Sequence, residues 1–172
     1  LPEESPAATE TSGLPEAPPA IAEKPAIKEG VYCEELLVIG EAEYVTIEPD
    51  GMKLAARIDT GATTSSLSAT EIKNYERDGK KWVRFKVTDP VSGKILEINR
   101  PLTRIVPIKR HGAPDQKRPV VTLPIRMGPI DIKTEFSLTD RTKFEYPVLI
   151  GRSFLEDKAI VDVSRKYATS PI

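Results

Sequence analysis

Residues 54–67 read LAARIDTGATTSSL, a short apolar segment that runs into an acidic, glycine-containing turn. From Leu54 to Ile58 every second residue is apolar, which is the period-two pattern of a half-buried β-strand. Asp59 follows at once, so its carboxylate is expected to project from a tight loop at the strand end. Gly61 has no Cβ, which lets another part of the backbone pass close by. The stretch therefore predicts a strand that ends in a turn presenting a carboxylate.

The rest of the sequence also has the character of β-structure. Tyr75–Val87 is predicted to form a hairpin, because Asp78-Gly79 between alternating segments is a strong type I′ turn signal. No long segment has a helical period, and Ser153–Asp157 is expected to form a single helical turn, so a doubly wound α/β fold is excluded. The other predicted strands are residues 36–39, 44–47, 53–58, 148–150 and 159–163, with a second hairpin joining 120–127 to 130–138 through Gly128-Pro129. We predict an all-β domain, a small closed barrel with one short helix.

Composition and charge exclude several classes of protein. The 172 residues include 25 Lys and Arg against 26 Asp and Glu, so a wholly basic nucleic-acid binder is not expected. No apolar run approaches the roughly 18 residues that a membrane-spanning helix needs. Cys33 is the single cysteine, which excludes an internal disulfide framework. With His111 as the single histidine, few ligands remain for a metal site.

The first 30 residues differ from the rest. They hold six of the 16 prolines, with six Glu and two Lys, and they have no aromatic residue and no persistent apolar period. Such a segment cannot bury enough apolar surface to offset the entropy of ordering it. We therefore expect residues 1–30 to be a disordered linker of charge −4, and residues 31–172 to form a domain of charge +3.

The linker also bears on localisation. A linker followed by a domain often remains after a signal peptide or a membrane anchor is removed. One expectation is therefore a periplasmic or otherwise exported protein, with a membrane tether before Leu1. A cytoplasmic protein is the alternative, and a single cysteine fits either compartment.

The acidic turn resembles the active-site turn of aspartic proteases, in which two apolar residues precede Asp, then Thr or Ser, then Gly. The resemblance implies that Asp59, Thr60 and Gly61 form the catalytic turn, and that Thr60 offers a buried hydroxyl that bonds across to its counterpart. Two carboxylates about 3 Å apart cannot both ionise, so such a pair holds a water and works as base and acid together. The sequence contains a single Asp-Thr-Gly. A complete site would therefore need Asp59 from each of two chains, in a homodimer.

A second segment strengthens this resemblance. Residues 148–152, VLIGR, resemble the Ile-Ile-Gly-Arg strand end of retroviral proteases, which supports the catalytic loop and leads into a short helix. The order of the two motifs and the β pattern between them agree with that class. The resemblance implies a retropepsin-like barrel in which Ala62, Ile150, Gly151 and Arg152 support the loop.

One position departs from the retroviral pattern. Those enzymes have another Asp four residues after the catalytic Asp, and it pairs with the Arg of the Gly-Arg motif and helps to hold the dimer. That position is Thr63 in this sequence. Arg152 therefore needs another partner, for which Asp140 and Asp162 are the expected residues. The departure bears on the dimer geometry more than on the fold.

Over about residues 36–167 the chain is similar to a bacterial family of retropepsin-like aspartic endopeptidases, often labelled ATP-dependent zinc proteases. The matching segments are residues 57–67, 76–85, 118–120, 137–141 and 149–152. Some members accompany glutamate ligases, and one branch is thought to trim glutamates added to a ribosomal protein. The residues do not support the label, because the sequence has no His-Glu-x-x-His and no phosphate-binding loop. We predict no metal and no cofactor.

The segment at residues 99–118 lies where retropepsins place the flap that covers the substrate. We expect a long irregular loop, because prolines and a glycine interrupt it. It carries six basic residues against one acid, Asp115. One interpretation is a solvated loop; the other is a cationic lid, with Arg104, Lys109 and Arg110, that favours an acidic or glutamate-rich substrate. Nucleic acid is a poorer candidate because no aromatic residues interleave these bases for stacking.

Two functions stay open at this point. The first is an aspartic peptidase that acts as a homodimer on a peptide or protein substrate, through a water held between paired Asp59 carboxylates. The alternative is a monomeric pseudoprotease or peptide-binding module. Such a module keeps the fold and recognises an extended peptide by strand addition, without cutting it.

Overall fold

β-strands make up most of the computed structural model, which describes residues 36–169. Between these residues the chain forms twelve strands and one helix of four residues. The elements are β1 (Leu37–Ile39), β2 (Ala42–Ile47), β3 (Met52–Ile58), β4 (Ser65–Ser68), β5 (Thr70–Arg77), β6 (Lys80–Thr88), β7 (Ile95–Pro101), β8 (Arg104–Arg110), β9 (Ala113–Met127), β10 (Ile130–Thr139), β11 (Val148–Ile150), α1 (Arg152–Leu155) and β12 (Ala159–Val161). No helix of this part of the chain has the length and apolar character needed to cross a membrane. The predicted linker at residues 1–30 and Cys33 lie outside the described residues.

Six strands close into a barrel in the order β10-β4-β11-β3-β2-β9, because β10 pairs with both β4 and β9. Each of these six strands pairs with a neighbour on both sides, and the contact between β2 and β9 is short, with Thr46 opposite Arg126 and Ile47 opposite Ile125. β8 adds to the outer side of β9 and forms an edge strand. The predicted all-β fold with a small closed barrel and one short helix is confirmed.

The hydrophobic core fills the barrel and continues beneath a second sheet. Leu54 of β3, Leu123 of β9 and Phe136 of β10 are fully buried in the barrel. Burial alternates along β3, as its sequence predicts. Val83 and Phe85 of β6 belong to the same core, so the three-stranded sheet β5-β6-β7 packs onto the barrel and is part of one domain.

The two predicted hairpins are confirmed. Asp78 and Gly79 join β5 to β6 with φ angles of 52° and 71°, and a type I′ turn needs positive φ at both central residues. Residues 120–127 of β9 pair with residues 130–137 of β10 through a turn at Gly128, whose φ is 53°. The predicted helical turn is also present, and it begins at Arg152 rather than at Ser153.

The prediction of an irregular loop at residues 99–118 is wrong. β8 and β9 form a hairpin that turns at Gly112, whose φ of 72° suits glycine. Pro107 is tolerated because β8 is an edge strand, where a missing N–H does not break a ladder on both sides. A shift in register between Ile108 and Arg110 absorbs a further irregularity.

Candidate active site

The loop at residues 59–64, which we call the Asp59 loop, lies where three strands meet. β11 is inserted between β3 and β4, parallel to β3 and antiparallel to β4, although β3 and β4 are neighbours in sequence. The chain that leaves β3 after Ile58 must therefore pass over the end of β11 before it enters β4 at Ser65. The sheet order itself thus holds the predicted catalytic turn above Ile150, the last residue of β11.

Asp59 is fixed through both its backbone and its carboxylate. Its backbone N–H donates to the carbonyl oxygen of Ile150 at 2.9 Å. Its Oδ1 accepts hydrogen bonds from the backbone N–H groups of Gly61 at 2.9 Å and Ala62 at 3.2 Å. The side chain is half-buried, and no residue of the described part donates a hydrogen bond to Oδ2. One carboxylate oxygen therefore closes the turn, and the other remains available for chemistry.

Gly151 lets the Asp59 loop cross the end of β11 at very short range. A Cβ at this position would lie 2.4 Å from the carbonyl oxygen of Thr64 and 2.9 Å from that of Ala62. The backbone N–H of Gly151 donates to Oγ of the buried Ser65 at 3.1 Å. The next N–H, that of Arg152, donates to the carbonyl oxygen of Ala62 at 2.8 Å. The structure thus brings the support residues predicted from the sequence into contact with the loop.

The side chain of Arg152 binds the Asp59 loop itself. Its Nη1 donates to the carbonyl oxygens of Thr60 at 3.1 Å and Gly61 at 2.8 Å. Its Nη2 donates to the hydroxyl of Thr63 at 2.9 Å. The residue that replaces the retroviral Asp therefore still contacts the arginine, through a hydroxyl in place of a carboxylate.

The prediction that Asp140 or Asp162 pairs with Arg152 is wrong, because each carboxylate is satisfied by its own turn. Asp140 accepts hydrogen bonds from the hydroxyl and the backbone N–H of Thr142. Asp162 accepts hydrogen bonds from Ser164 and forms an ion pair with Arg165. These hydrogen bonds, first of all those from the Thr142 and Ser164 hydroxyls, lower the pKa of both carboxyls. Within residues 36–169, no three His, Cys, Asp or Glu side chains are placed to hold a metal ion.

Thr60 is exposed, whereas the sequence predicts a buried hydroxyl. Its carbonyl accepts the hydrogen bond from Arg152, but its hydroxyl has no hydrogen bond within the described chain. The loop points this side chain away from the barrel. Burial of the Thr60 hydroxyl therefore requires a second molecule against the loop.

Arg141 approaches the Asp59 loop, a contact that the sequence analysis does not predict. It follows β10, and its Nη1 donates to Oγ of Ser66 at 3.2 Å. Its Nε donates to the carbonyl oxygen of Tyr146 at 3.4 Å, and its guanidinium lies 4.5 Å from the ring centroid of Phe144. Burial lowers the pKa of Arg141, and so does the charge of Arg118, while the Asp59 carboxylate raises it. The guanidinium of Arg141 therefore lies within electrostatic range of Asp59.

Arg118 is the second arginine near this site, and it lies on β9. Val120, two residues after Arg118, pairs with Ser137 of β10, four residues before Arg141, so the two arginines lie in neighbouring segments. Its Nε donates to Oε1 of Gln116 at 3.1 Å. Burial lowers the pKa of Arg118, and the charge of Arg110 lowers it further. Both arginines lie in segments that match the family in sequence, but only the folded chain brings them together.

The three residues of the predicted lid have different surroundings. Arg104 forms an ion pair with Glu135 of β10. Lys109 and Arg110 are exposed near the turn of the β8–β9 hairpin. The charge of Arg110 lowers the pKa of Arg118. The end of this hairpin therefore lies within electrostatic range of Arg118.

The closed barrel, the Asp-Thr-Gly turn after β3 and the crossing at Gly151 together define a retropepsin-like domain. A family model described as RimB-like, retropepsin-like aspartic endopeptidase RimB, matches residues 38–171. The chain belongs to this RimB-like family. The family resemblance found in the sequence is confirmed.

A solved structure agrees with this assignment. It is the crystal structure of Lpg0085 from Legionella pneumophila subsp. pneumophila str. Philadelphia 1, a protein described as having unknown function (DUF785). The two chains are 30% identical and superpose with a TM-score of 0.68. The match covers 78% of this chain and 98% of that chain, so it concerns almost the whole of the solved protein.

Curated relatives have a different name, probable alpha-L-glutamate ligase. The relative from Shewanella pealeana is 31% identical over 134 residues, which are 76% of this chain and 29% of the relative. The relative from Desulfotalea psychrophila is 28% identical over 138 residues, which are 78% of this chain and 30% of the relative. The chain spans less than a third of the length of these relatives, so most of each relative lies outside the match.

Proposed function

We propose that the protein is an aspartic peptidase that acts as a homodimer, to which each copy contributes Asp59. The observation that carries this proposal is the geometry of the Asp59 loop. Oδ1 is held by the N–H groups of Gly61 and Ala62, and Oδ2 accepts no hydrogen bond from the described residues. Membership of a retropepsin-like family supports the same chemistry. Residues 36–169 contain one such loop, so a pair of carboxylates needs two chains.

In the proposed site the two Asp59 carboxyls share one proton, because like charges so close together cannot both be present. The ionised carboxylate accepts a proton from the water as the water oxygen attacks the carbon of the peptide carbonyl. The protonated carboxyl donates its proton to the carbonyl oxygen, which gives a tetrahedral diol. Collapse of the diol breaks the C–N bond: one diol hydroxyl returns its proton to the carboxylate that is now ionised, and the carboxyl that took the water's proton gives it to the departing amine. The rate is expected to show a bell-shaped dependence on pH.

The proposal is tested by hydrolysis of a peptide library with Asp59→Asn and with a matched control, Asp78→Asn. Asp78 occupies an exposed type I′ turn position that Asn also favours, so the control is expected to keep its fold and activity. Asp59→Asn is expected to reduce the rate of hydrolysis by about a hundredfold to ten-thousandfold, which is the usual contribution of acid–base catalysis. Activity is expected to persist in EDTA and without ATP. Equal hydrolysis by the two variants would contradict the proposal.

A mixing experiment tests whether two chains build one site. Wild-type and Asp59→Asn chains are mixed at constant total concentration and allowed to exchange partners. If the site needs Asp59 from both chains, activity falls with the square of the wild-type fraction, because mixed dimers are inactive. A linear fall would show that one Asp59 is sufficient.

We infer that the substrate is acidic, and a glutamate-rich peptide is the expected class. Relatives named as glutamate ligases contain a segment similar to this chain, so a peptidase of this kind would meet glutamate-rich products. Lys109 and Arg110 at the end of the β8–β9 hairpin have the charge to favour such a substrate, while Arg104 is engaged by Glu135. Neutralising both exposed residues to Gln is expected to weaken binding of a glutamate-rich peptide by about 0–1 kcal/mol for each charge. The loss should shrink at high salt and be absent for a neutral peptide.

The second candidate function is a monomeric peptide-binding module without catalysis. It is favoured by the contacts of Arg152, which closes the Asp59 loop within one chain and uses Thr63 where retroviral enzymes have an Asp. β8 is an edge strand to which an extended peptide could add. Sedimentation over a wide concentration range separates the two functions. A strict monomer that binds peptides, and binds them equally well as Asp59→Asn, would favour the module.

A further inference from the structure

We propose that Arg118 and Arg141 form a carboxylate-binding subsite beside Asp59, which recognises an acidic group of the substrate close to the bond that is cut. The proposal rests on the proposed peptidase function and deepens it, because it assigns specificity to two named side chains. The ligand is a carboxylate, either the side chain of a substrate glutamate or a free C-terminal carboxylate.

The barrel places both arginines at the same end as the Asp59 loop. Pairing of β11 with both neighbours sets Ser66 of β4 level with the end of β3, from which Asp59 follows. Arg141 donates to the hydroxyl of Ser66 from two residues beyond β10. Arg118 lies two residues before Val120, which pairs with Ser137 near the end of β10. A substrate held over the Asp59 loop therefore lies next to these two guanidinium groups.

The two guanidinium groups are half-buried and have no acidic partner. Neither forms an ion pair within the described residues. Arg118 uses one donor, on Gln116, and Arg141 uses two, on Ser66 and Tyr146, of the five N–H donors that each guanidinium carries. Two like charges that are partly removed from water and lack a counter-ion are unfavourable. A carboxylate between them would remove that cost.

Arg141 is also held in a fixed orientation before any ligand arrives. Phe144 stacks on its guanidinium at 4.5 Å, while the Ser66 hydroxyl and the Tyr146 carbonyl occupy Nη1 and Nε. The two N–H groups of its Nη2 donate no hydrogen bond to a described residue. A preorganised planar fork loses little entropy when it binds a carboxylate, and this favours arginine over lysine at such a position. The two N–H groups of Nη2 therefore remain for a carboxylate.

Three arginines, Arg110, Arg118 and Arg141, form a series of positive charges from the end of the β8–β9 hairpin toward Asp59. Arg110 at the end of the β8–β9 hairpin lowers the pKa of Arg118, and Arg118 lowers the pKa of Arg141. The Asp59 carboxylate acts in the opposite sense on Arg141. An acidic substrate that first meets the exposed hairpin would therefore find increasingly enclosed cations along its path to the Asp59 loop.

The test compares two peptides that differ only in Glu or Gln beside the same scissile bond, each with a free and an amidated C-terminus. Arg118→Gln is expected to reduce the preference of kcat/KM for the Glu peptide by about tenfold to a hundredfold, mainly through KM. The amidated Gln peptide carries neither carboxylate, so its rate measures any loss that does not depend on carboxylate recognition. Arg141→Lys keeps the charge but loses the planar fork, so an intermediate loss is expected. A Glu preference that Arg118→Gln reduces in the amidated peptides assigns the side-chain carboxylate. A preference for the free over the amidated terminus, equal in the Glu and Gln peptides and reduced by Arg118→Gln, assigns the C-terminal one.

The matched control is Arg126→Gln, which changes an arginine at the opposite end of β9. Arg126 pairs with Glu48 and contacts Asp131. The Arg126→Gln variant is therefore expected to leave the preference for the Glu peptide unchanged. The same labelled peptides are also bound to Asp59→Asn, with and without Arg118→Gln. A Glu preference in binding that Arg118→Gln abolishes supports the subsite even if no hydrolysis is found. Preferences for Glu and for the free C-terminus that are unchanged in both arginine variants, or an equal loss on all four peptides, overturn it.

Discussion

Replacement of Gly151 by alanine tests how much the domain depends on the crossing of the Asp59 loop over β11. The backbone at Gly151 has φ −98° and ψ −178°, an extended conformation that alanine adopts without strain. Any cost of Gly151→Ala therefore arises from space alone. The new Cβ would lie 2.4 Å from the carbonyl oxygen of Thr64 and 2.7 Å from its carbonyl carbon. Both atoms belong to the backbone, so no side chain can rotate away.

The magnitude follows from the shift that these contacts demand. Non-bonded carbon atoms settle at about 3.5–4.0 Å, so the loop and the strand end must separate by about 1 Å. Overpacking of this kind costs about 1–3 kcal/mol. The same shift weakens the hydrogen bonds from the N–H groups of Arg152 to Ala62 at 2.8 Å and of Ser153 to Thr63 at 3.0 Å. At about 1 kcal/mol for each hydrogen bond, the expected total is roughly 3–5 kcal/mol.

Urea unfolding followed by circular dichroism and by the fluorescence of Trp82 measures this loss as a change in midpoint at constant m. Gly61→Ala is the matched control, because its Cβ would meet only Oδ1 of Asp59, at 3.1 Å. We expect Gly61→Ala to cost less than about 1 kcal/mol of stability. It should nevertheless reduce activity, because it displaces the carboxylate. A Gly151→Ala protein that unfolds within about 0.5 kcal/mol of the wild type would refute the reasoning, since that is the range of neutral surface changes.

Three further predictions concern other parts of the domain. Glu43 is fully buried and accepts four hydrogen bonds, three of them from residues 168–169, so Glu43→Gln is expected to cost about 2–4 kcal/mol in urea unfolding. Thr63→Asp places a carboxylate beside Arg152 and is expected to stabilise the domain by at most about 1 kcal/mol, a gain that thermal unfolding at high salt should not show. The pKa of Asp140 lies below its ordinary value of 3.8, so its contribution to stability is present above pH 3.8 and is lost as the pH falls through the folded value. The stability difference between wild type and Asp140→Asn should therefore shrink in acid, and a difference that grows there would contradict this account.

Most of the barrel could be predicted from the sequence because its signals are local. The alternation from Leu54 to Ile58 reports a strand with one face in the core, and burial follows the same alternation in the structure. Asp78-Gly79 predicts its turn because both residues tolerate positive φ. The β8–β9 hairpin was missed because Pro107 suggests a break, and only the position of β8 at the sheet edge makes that proline harmless.

The site was predicted less completely, because its contacts join distant parts of the chain. A motif identifies Asp59 and Gly151, but it does not show which acceptors the guanidinium of Arg152 will find. Asp140 and Asp162 were reasonable partners by charge, and hydroxyls two residues further on satisfy both of them. The approach of Arg118 and Arg141 to the loop depends on the register of β9, β10 and β4, which no local pattern contains.

The contacts of Arg152 also determine what association must supply. Two carbonyl oxygens and the Thr63 hydroxyl accept its hydrogen bonds within one chain, and the N–H groups of Gly61 and Ala62 hold Oδ1 of Asp59. The Asp59 loop is therefore ordered before two chains meet. In the proposed dimer, association need only bring two preformed carboxylates together and cover the exposed Thr60. Little conformational entropy is then lost in assembling the site, because the close crossing at Gly151 already forms when each chain folds.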